Sequence, residues 1–438
     1  MKSNTWRETT LGELADFING DRGKNYPGVA DRVDVGIPFI NTGHILPSGR
    51  LTQDDMDYIT SEKYNQLGSG KVRPGDIVYC LRGSTIGKTA RNHYEEGAIA
   101  SSLVIVRAKP KVNQDYLYYF LTSPAGQQLA KSNDNGSAQP NLSAKTLSRY
   151  PLLVPNVEEQ ESIVNTLNAI DNKIEVNTKL NQTLEQMAQA TFKSWFVDFD
   201  PVKAKMNGEQ PEGMDAATAS LFPEKLVESK LGLIPEGWEE TPLYDIAEYI
   251  NGAAYKKFEP NGEGLGLPII KIAELKAGVT SKTGFSTVDM PQKYKLDDTD
   301  ILFSWSGNPD TSIDTFVWAL GEAWLNQHIF KVVPKSDLSR DYVLCLLKYM
   351  RPVFAEIARD KQTTGLGHVT VKDLKRLTVA VPSEELLIKF NEKVSAIIAH
   401  NFSLVKENQT LEKLRDTLLP KLLSGEIELD VAEVNLND

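Results

Sequence analysis

A repeated long helical pattern constrains this chain more than any other feature. Apolar residues recur at alternating four- and three-residue steps from Ile163 to Trp195, within the stretch Val157–Phe196, which contains no Gly or Pro. This is the a/d spacing of a helix that packs along one narrow apolar seam. A helix of roughly forty residues rises about 60 Å, and its apolar stripe needs a partner.

The same pattern returns from Phe390 onwards, at a constant offset of 227 residues. The pentapeptide NQTLE occurs in the same heptad phase at Asn181–Glu185 and at Asn408–Glu412. We predict that the two helices pair with each other and that the seam asparagines fix the register at some cost in stability. The alternative is two unrelated amphipathic core helices. The predicted seam comprises Ile163, Leu167, Ile170, Ile174, Asn181 and Leu184, with Phe390, Val394, Ile397, Leu404, Asn408 and Leu411.

The repeat also covers the segment that precedes each helix. LADFING after Trp6 matches IAEYING after Trp238, and DIVYCLRG at Asp76 matches DILFSWSG at Asp300. LSAKTLSRYPLLVP before the first helix matches VTVKDLKRLTVAVP before the second. Short β-rich runs alternate with helical stretches in both copies, which predicts an α+β fold. The chain is therefore two copies in tandem, each an α+β part of roughly 150 residues followed by a long helix.

The domain boundaries follow from this repeat. We predict globular parts at 1–155 and 236–382, long helices at 156–200 and 383–424, a polar, turn-rich linker at 201–235 and an acidic tail at 425–438. The loops between the matched strands differ most between the copies. Such a pattern is typical of two domains that bind different ligands, although ordinary loop drift after duplication is the alternative.

The composition of the chain excludes several classes of protein. Cys80 and Cys345 stand alone, so they supply no zinc cluster or disulfide framework. The absence of a long apolar run or a signal-peptide core predicts a cytoplasmic protein without a membrane partner. The net charge of −11 does not decide nucleic-acid binding, because residues 1–155 carry 18 Lys and Arg against 15 Asp and Glu.

No string supports catalysis. GSTIGKT at Gly83 has three residues between its glycines, where a phosphate loop needs four. The alternating glycines at 262, 264 and 266 precede a predicted strand, whereas the glycines of a dinucleotide-binding motif follow one. The five histidines show no paired-ligand spacing. We therefore expect no catalytic residue and no metal site in this chain.

Seven strings occur in order along the chain: TLGELADFINGDRGKNY, GSTIGK, NGSAQPNLS, TFKSWFVDFDPV, LGLIPEGW, TTGLGHVTVKDLKRL and LRDTLLPKLLSGEI. With them and its duplicated layout, the chain resembles the specificity subunit of type I restriction-modification enzymes over its whole length. The resemblance implies two target-recognition domains that each read one half of a bipartite DNA site, separated by an antiparallel coiled coil.

The resemblance also implies the partners of the chain. They are double-stranded DNA, two methyltransferase subunits docked on the helices, and restriction-translocase subunits that join them. It implies no cofactor on this chain, with S-adenosylmethionine, Mg²⁺ and ATP bound by the partner subunits only.

Elementary geometry agrees with this resemblance. A rigid antiparallel helix pair holds two DNA-binding domains at a fixed distance, which corresponds to a fixed number of unread base pairs. One alternative is a non-catalytic coiled-coil scaffold that organises proteins without DNA sequence preference. Another is a self-sufficient methyltransferase, which the missing cofactor and catalytic motifs disfavour.

Candidate DNA contacts lie mainly in loops and combine phosphate donors with amides that can pair adenine bidentately. Each could instead be an ordinary solvated loop residue. We also expect Asn308 and Trp305 to stand where the first copy has Arg82 and Leu81. The candidates are Arg22, Lys24, Asn41, Arg82, Ser84, Lys88, Arg91, Gln139 and Asn141 in the first copy, and Tyr255, Lys256, Lys257, Lys271, Trp305, Asn308, Thr363, Thr364 and His368 in the second.

Large apolar side chains near the helix ends exceed what a two-helix seam can bury. We expect them to face a partner or to pack where the two copies meet. They are Phe192, Trp195, Phe196 and Phe199 in the first helix, and Leu419, Leu422 and Leu423 in the second.

Overall fold

In the computed structural model, which describes residues 6–132, 141–335, 338–362 and 365–429, each sequence repeat forms an α+β part followed by a long helix. The chain divides into two units. The first consists of residues 1–174 with 410–438, and the second of residues 175–409.

The first repeat builds two four-stranded sheets and one separate strand pair. Its strands are β1 (Arg7–Thr10), β2 (Ala15–Asn19), β3 (Arg32–Val33), β4 (Ile37–Ile40), β5 (Asp57–Ile59), β6 (Ile77–Cys80), β7 (Thr89–Arg91), β8 (Ala98–Ile99), β9 (Leu103–Ala108) and β10 (Pro151–Val154). Its helices are α1 (Leu11–Leu14), α2 (Ser61–Gln66), α3 (Gln114–Thr122), α4 (Pro124–Ser132), α5 (Ala144–Leu147) and α6 (Val157–Phe196). The sheets have the strand orders β2-β9-β6-β7 and β3-β5-β4-β8, and β1 pairs with β10.

The second repeat has the same plan with additions. Its strands are β11 (Leu226–Ser229), β12 (Gly232–Pro235), β13 (Glu239–Pro242), β14 (Ala247–Asn251), β15 (Leu267–Ile270), β16 (Phe285–Ser286), β17 (Lys295–Leu296), β18 (Ile301–Ser304), β19 (Ser306–Gly307), β20 (Asp314–Val317), β21 (Ala323–Leu325), β22 (Ile329–Pro334), β23 (Gly367–His368) and β24 (Thr378–Val381). Its helices are α7 (Asp200–Met206), α8 (Ala216–Ser220), α9 (Ile272–Ala277), α10 (Arg340–Tyr349), α11 (Arg351–Asp360), α12 (Val371–Arg376) and α13 (Glu384–Leu423). The sheet β14-β22-β18-β20 repeats β2-β9-β6-β7, and the pair β13-β24 repeats β1-β10.

Strand β6 shows why the central strands contain continuous apolar runs. Its residues alternate between two apolar clusters, with Ile77 and Tyr79 in one and Val78 and Cys80 in the other. All four are 0% exposed. A strand covered on both faces needs apolar residues at every position. β6 therefore forms a fixed base for the loop that follows it.

The two long helices run antiparallel within each unit. In the first unit, Asp171 of α6 pairs with Arg415 of α13 at 3.2 Å. In the second, Asn177 Nδ2 donates to Asn408 Oδ1 at 2.9 Å, and Asn401 Nδ2 donates to the Asn181 carbonyl at 3.0 Å. Residue numbers rise along one helix while they fall along the other, which confirms the predicted antiparallel pair.

The burial of the predicted seam is uneven. The seam asparagine that meets Asn408 is Asn177, which is 1% exposed. The buried members are Ile163, Leu167, Ile170, Leu184, Phe390, Val394 and Leu404. The partly exposed members are Ile174, Asn181, Ile397, Asn408 and Leu411.

The large apolar residues near the helix ends pack inside their own units. Phe192, Trp195 and Phe196 are buried in the second unit, where their rings contact Phe390. In the first unit, Leu419 and Leu422 join a core built by the globular part, with Leu423 at its edge. Phe199 likewise packs at the edge of the second core. The expectation that they pack where the two copies meet is confirmed, because Phe192, Trp195 and Phe196 belong to the first repeat and pack on the second. Leu419 and Leu422 belong to the second repeat and pack in the core of the first.

The predicted linker at 201–235 is folded. It contains most of α7, all of α8 and the hairpin β11–β12. Val202 and Phe222 are buried, and the Phe222 ring lies 5.3 Å from the Trp195 ring. This segment therefore contributes to the second core. Of the predicted tail, residues 430–438 lie outside the described part.

Candidate DNA interface

A cleft of about 630 Å³ lies in the first repeat, where the ends of β2 and β6 meet the residues before α5. We call it the first cleft. It is lined by Asn19, Gly20, Asp21, Arg22, Ser69, Leu81, Arg82, Asn141, Leu142, Ser143, Ala144 and Lys145. Three of the predicted DNA contacts, Arg22, Arg82 and Asn141, thus come together from segments far apart in the sequence.

Arg82 enters the first cleft because it follows the buried strand β6. Its backbone forms an isolated antiparallel bridge with Asn141. The Cys80 thiol donates to the Arg82 carbonyl at 3.3 Å, and Gly83 continues the chain with φ +76°, a conformation that favours glycine. The backbone of Arg82 is held in this way while its side chain is exposed. Ser84 is also exposed, in the turn after Arg82.

The loop after β2 brings Arg22 to the same cleft. The Asp21 carboxylate accepts the backbone N–H groups of Gly68 and Arg22, each at 2.7 Å. The bond from Gly68 is the main reason that the pKa of Asp21 lies below its ordinary value. Arg22 and Lys24 are both exposed on this loop. The Asp21 carboxylate therefore anchors the backbone of this loop, and the Arg22 side chain is exposed in the first cleft.

Lys145 also lines this cleft and was not predicted from the sequence. Lys145 is exposed on α5, whose N-terminus is capped by Ser143, with the Thr146 N–H donating to Ser143 Oγ at 3.0 Å. The repeat carried a signal for it, since LSAKTL and VTVKDL place a lysine at Lys145 and at Lys372. With Arg22 and Arg82, Lys145 brings three cationic side chains to the first cleft, against the one carboxylate of Asp21.

Asn41 and Lys88 do not line the first cleft. The Asn41 side chain donates to Asp57 at 2.9 Å and accepts the Gly43 N–H at 2.7 Å. Lys88 Nζ donates to the Ile45 carbonyl at 3.4 Å. Both side chains therefore have structural partners. Gln139 lies outside the described residues.

Arg91 holds the first globular part against helix α6. Its guanidinium donates to Asp115 at 2.7 Å and to Asn168 of α6 at 3.0 Å. It lies 3.8 Å from the centre of the Tyr118 ring and 4.9 Å from that of Tyr119. These contacts explain Arg91 without DNA, so its role as a DNA contact stays a prediction.

The second repeat has a corresponding site at the end of β18. The strand pair β19–β23 joins Ser306 to His368, as the bridge in the first repeat joins Arg82 to Asn141. Ser306 Oγ lies 2.9 Å from His368 Nδ1. The sequence comparison that set Asn308 against Arg82 is therefore wrong, because β-pairing places Ser306 there. Trp305 does occupy the position of Leu81.

Aromatic side chains dominate this second site. Trp305 Nε1 donates to Asn251 Oδ1 at 3.2 Å. Its ring lies 5.6 Å from that of His328 and 5.9 Å from that of His368. Burial, reinforced by the neighbouring His368, lowers the pKa of His328. His328 and Asn251 were not predicted from the sequence, although Asn251 repeats Asn19 in the matched strings.

The remaining candidates of the second repeat lie elsewhere on its loops. Lys271 Nζ lies 5.0 Å from the centre of the Tyr255 ring and 3.7 Å from Glu274. Asn308 is exposed, and its side-chain oxygen accepts the backbone N–H of Asp310 at 2.9 Å, which fixes a turn. Lys256 and Lys257 are exposed. Thr363 and Thr364 are outside the described ranges.

The described residues contain neither a metal-ligand cluster nor a membrane-spanning helix. No group of three His, Cys, Asp or Glu side chains there is placed to hold a metal ion. No helix in the same ranges is both long enough and apolar enough to cross a membrane.

Comparison with known proteins agrees with the duplicated plan. The family model for the type I restriction modification DNA specificity domain matches residues 3–186 and again 235–414. The HindI specificity subunit of Haemophilus influenzae is 27% identical, over 96% of this chain and 99% of that protein. The MjaIX specificity subunit of Methanocaldococcus jannaschii is 28% identical, over 74% of this chain and 71% of that protein.

A solved structure has the same fold. The specificity subunit of a type I restriction-modification system from M. genitalium matches with a TM-score of 0.55 and 18% identity, over 97% of each chain. The family match covers both repeats and most of the residues. The chain therefore belongs to the family of type I restriction-modification DNA specificity subunits.

Proposed function

We propose that each repeat reads one half of a bipartite site on double-stranded DNA, through the first cleft and the corresponding site of the second repeat. One observation carries the proposal. The same strand ends and the same position before a short helix hold Arg82 and Asn141 in one repeat and Ser306 and His368 in the other. An equivalent scaffold with different side chains suits two readers of two different base sequences.

The chemistry of the two sites differs accordingly. In the first cleft, Arg22, Arg82 and Lys145 can neutralise phosphates or donate to guanine, and the Asn141 amide can pair with adenine. In the second, Trp305 offers an apolar face suited to a thymine methyl group, and His368 offers a polar ring atom. The first site therefore contributes more of the salt-dependent affinity, and the second more of the shape-dependent contact.

The long helices set the number of unread base pairs and carry the partner subunits in this proposal. Two related repeats give two related faces, which suits two copies of a methyltransferase subunit. Restriction-translocase subunits join through that complex. The chemistry and its S-adenosylmethionine, Mg²⁺ and ATP belong to those partners, and this chain acts through recognition alone.

A domain exchange tests the two-reader proposal. Residues 1–155 are replaced by the equivalent part of another family member, and the methylated bases of the host genome are mapped before and after. We expect one half of the recognised sequence to change while the other half and the spacer stay the same. A change in both halves would refute the assignment of one half-site to each repeat.

The rival function is a scaffold without DNA sequence preference. Gel shifts of the full chain with its methyltransferase subunits, over a salt series, separate the two functions. A sequence-specific DNA-binding protein should remain bound to its own site at salt concentrations that release random duplexes from the complex. Equal loss of specific and random duplexes would favour the scaffold.

A further inference from the structure

Two exposed cations recur in both repeats where packing does not require them. The matched segments LSAKTLSRYPLLVP and VTVKDLKRLTVAVP share a lysine, a leucine, an arginine and a final Val-Pro. The leucine is 0% exposed in each repeat, so the two cores explain it. The lysine and the arginine are exposed in both repeats. We call Lys145 with Arg149 the first basic pair, and Lys372 with Arg376 the second basic pair.

The two basic pairs occupy equivalent places beside the two candidate DNA sites. The Leu142 N–H donates to the Leu81 carbonyl at 2.8 Å, and the Val369 N–H donates to the Trp305 carbonyl at the same distance. Helices α5 and α12, on which the basic pairs begin, each start shortly after the residue that makes this bond. In each repeat the bond therefore fixes the short helix to the strand end that builds the site.

The fold leaves the charge of the basic pairs available. Within the part of the chain that the structure describes, three of the four cations, all but Arg376, form neither an ion pair nor a side-chain hydrogen bond. Arg376 lies 3.9 Å from Asp373, and its side chain stays 71% exposed. Asp373 is already paired with Lys361. All four cations can therefore meet an anionic partner.

The members of each basic pair lie about one helical turn apart. Lys372 and Arg376 are both in α12, at a spacing that places them on one face. The backbone after α5 is still helical at Ser148, so Arg149 follows Lys145 at the same spacing. Two cations one turn apart on an exposed surface can contact neighbouring phosphates of one DNA strand.

The contrast with the neighbouring residues indicates what the basic pairs bind. The residues paired across the strand ends differ, with Arg82 and Asn141 in the first repeat and Ser306 and His368 in the second. The bases of two half-sites also differ, whereas the phosphates are the same in any sequence. Cations that are the same in both repeats therefore suit the part of DNA that is the same in both half-sites.

We infer that each basic pair binds the phosphate backbone beside the half-site of its own repeat and sets the register of that repeat on the duplex. The inference rests on the proposed reading of DNA by the two repeats. It assigns the residues that differ between the repeats to base recognition, and the two basic pairs to positioning. Phosphate contacts of this kind fix orientation and carry no sequence information.

Removing one basic pair at a time tests the inference. Lys145→Ala with Arg149→Ala, and Lys372→Ala with Arg376→Ala, are compared in the complex with methyltransferase subunits over a salt series. Each double variant should reduce the slope of log affinity against log salt by about two, because each lost phosphate contact contributes about 0.9. Affinity for specific and random duplexes should fall by the same factor, and the bases selected at both half-sites should stay the same.

Two control variants separate phosphate binding from other effects of charge. Lys203→Ala with Lys230→Ala removes the same charge from exposed positions in the segment 200–237 and should leave the slope unchanged. Lys145→Arg with Arg149→Lys keeps both charges and should bind DNA as the unchanged protein does, because a phosphate accepts either cation. If a double variant does not fold, Lys145→Ala or Lys372→Ala alone should lower the slope by about one.

The outcomes distinguish this inference from the proposed function. Unchanged slopes in folded variants, while the unchanged protein still selects its own site, would overturn the inference alone. An unchanged protein that selects no site would refute the proposed function and the inference with it. Altered base selection in the variants would show that the basic pairs read sequence. Loss of methyltransferase assembly would show that they are a protein contact, and either result would overturn the inference.

Discussion

Arg82 and Arg91 flank one loop of the first repeat and serve different purposes. Arg82 follows the end of β6 and its side chain is exposed in the first cleft. Arg91 ends β7, where its guanidinium contacts Asp115 and Asn168. The local sequence could not distinguish the roles of the two residues, because each is an arginine near glycines and threonines. Their roles depend on which residues the sheet and helix α6 place beside each side chain.

Replacing Arg82 by Ala should weaken binding to the specific duplex about tenfold, since one good arginine contact to DNA is worth about 1–3 kcal/mol. The slope of affinity against salt should fall by about one if Arg82 contacts a phosphate. Fluorescence anisotropy of the complex with methyltransferase subunits measures both. Arg50→Ala, an exposed arginine outside the cleft, is the matched control. Equal effects of the two changes would remove Arg82 from the site.

Replacing Arg91 by Ala should destabilise the protein by about 2–3 kcal/mol, because Asp115 and Asn168 lose their partner and Tyr118 loses a cation–π contact. The estimate lies below that of a fully buried pair, since the two side chains are 29% and 33% exposed. Chemical denaturation measures the change. Unchanged stability with weakened DNA binding would instead support Arg91 as a DNA contact.

At the level of single elements, the long helices were predictable and their contacts were not. The heptad pattern gave Val157–Phe196, which is the observed α6, because regular seam spacing over forty residues is a strong local signal. The partner of each seam residue depends on antiparallel packing across the whole chain. The repeat aligns Asn408 with Asn181, but the side chains that Asn408 contacts are those of Asn177 and Thr178. The short elements inside the linker were not predicted, because they depend on burial against Trp195.

The Asn177–Asn408 contact gives a prediction for the helix pair. Asn177→Leu alone should lower stability by about 1–2 kcal/mol, because Asn408 then faces an apolar side chain. Changing both residues to Leu should recover that loss or exceed the original stability, as apolar seam positions favour pairing over a defined register. Denaturation midpoints of the single and double variants measure this. A double variant less stable than either single one would contradict it.

At the scale of the whole molecule, most of the architecture was predicted from the duplication of the sequence. The matched strings predicted two α+β parts and two long helices. The composition of the loops predicted Arg22, Arg82 and Asn141 as DNA contacts. Four separate segments build the first cleft, so no local pattern shows that they meet. Lys145 was missed for this reason, and so was His328, which stands next to β22 and reaches Trp305 only through the fold.

Lengthening both helices tests the proposed spacer. One heptad inserted after Ile174 and another after Thr410 should keep the seam in phase, because Asp171 pairs with Arg415 and Asn177 with Asn408. The repeat counterpart of Ile174, Asn401, is not the facing position. The insertion adds about 10 Å, or about three base pairs and roughly 100° of DNA twist. The preferred spacer should grow by about two to four base pairs.

Selection of bound duplexes from a library of spacer lengths reads out this change, with both half-sites held constant. The control inserts two residues in α6 alone, which breaks the seam phase and should abolish specific binding. Preference of the lengthened protein for the original spacer would show that the helices do not set it.

The contact of Trp6 with the end of α13 has a consequence for chain connectivity. A Cβ built on Gly425 would lie 3.1 Å from the Trp6 ring. In the second repeat, Trp238 packs in the same way on Phe199, just after α6, at 5.5 Å between ring centres. Residues 200–237 connect the two sides of one of these joints along the chain, and among the described residues Trp6 packs on Gly425 at the other. A circular permutant that links the end of α13 to Trp6 and opens the chain between residues 200 and 237 would therefore keep these two packing contacts while reversing the order of the repeats.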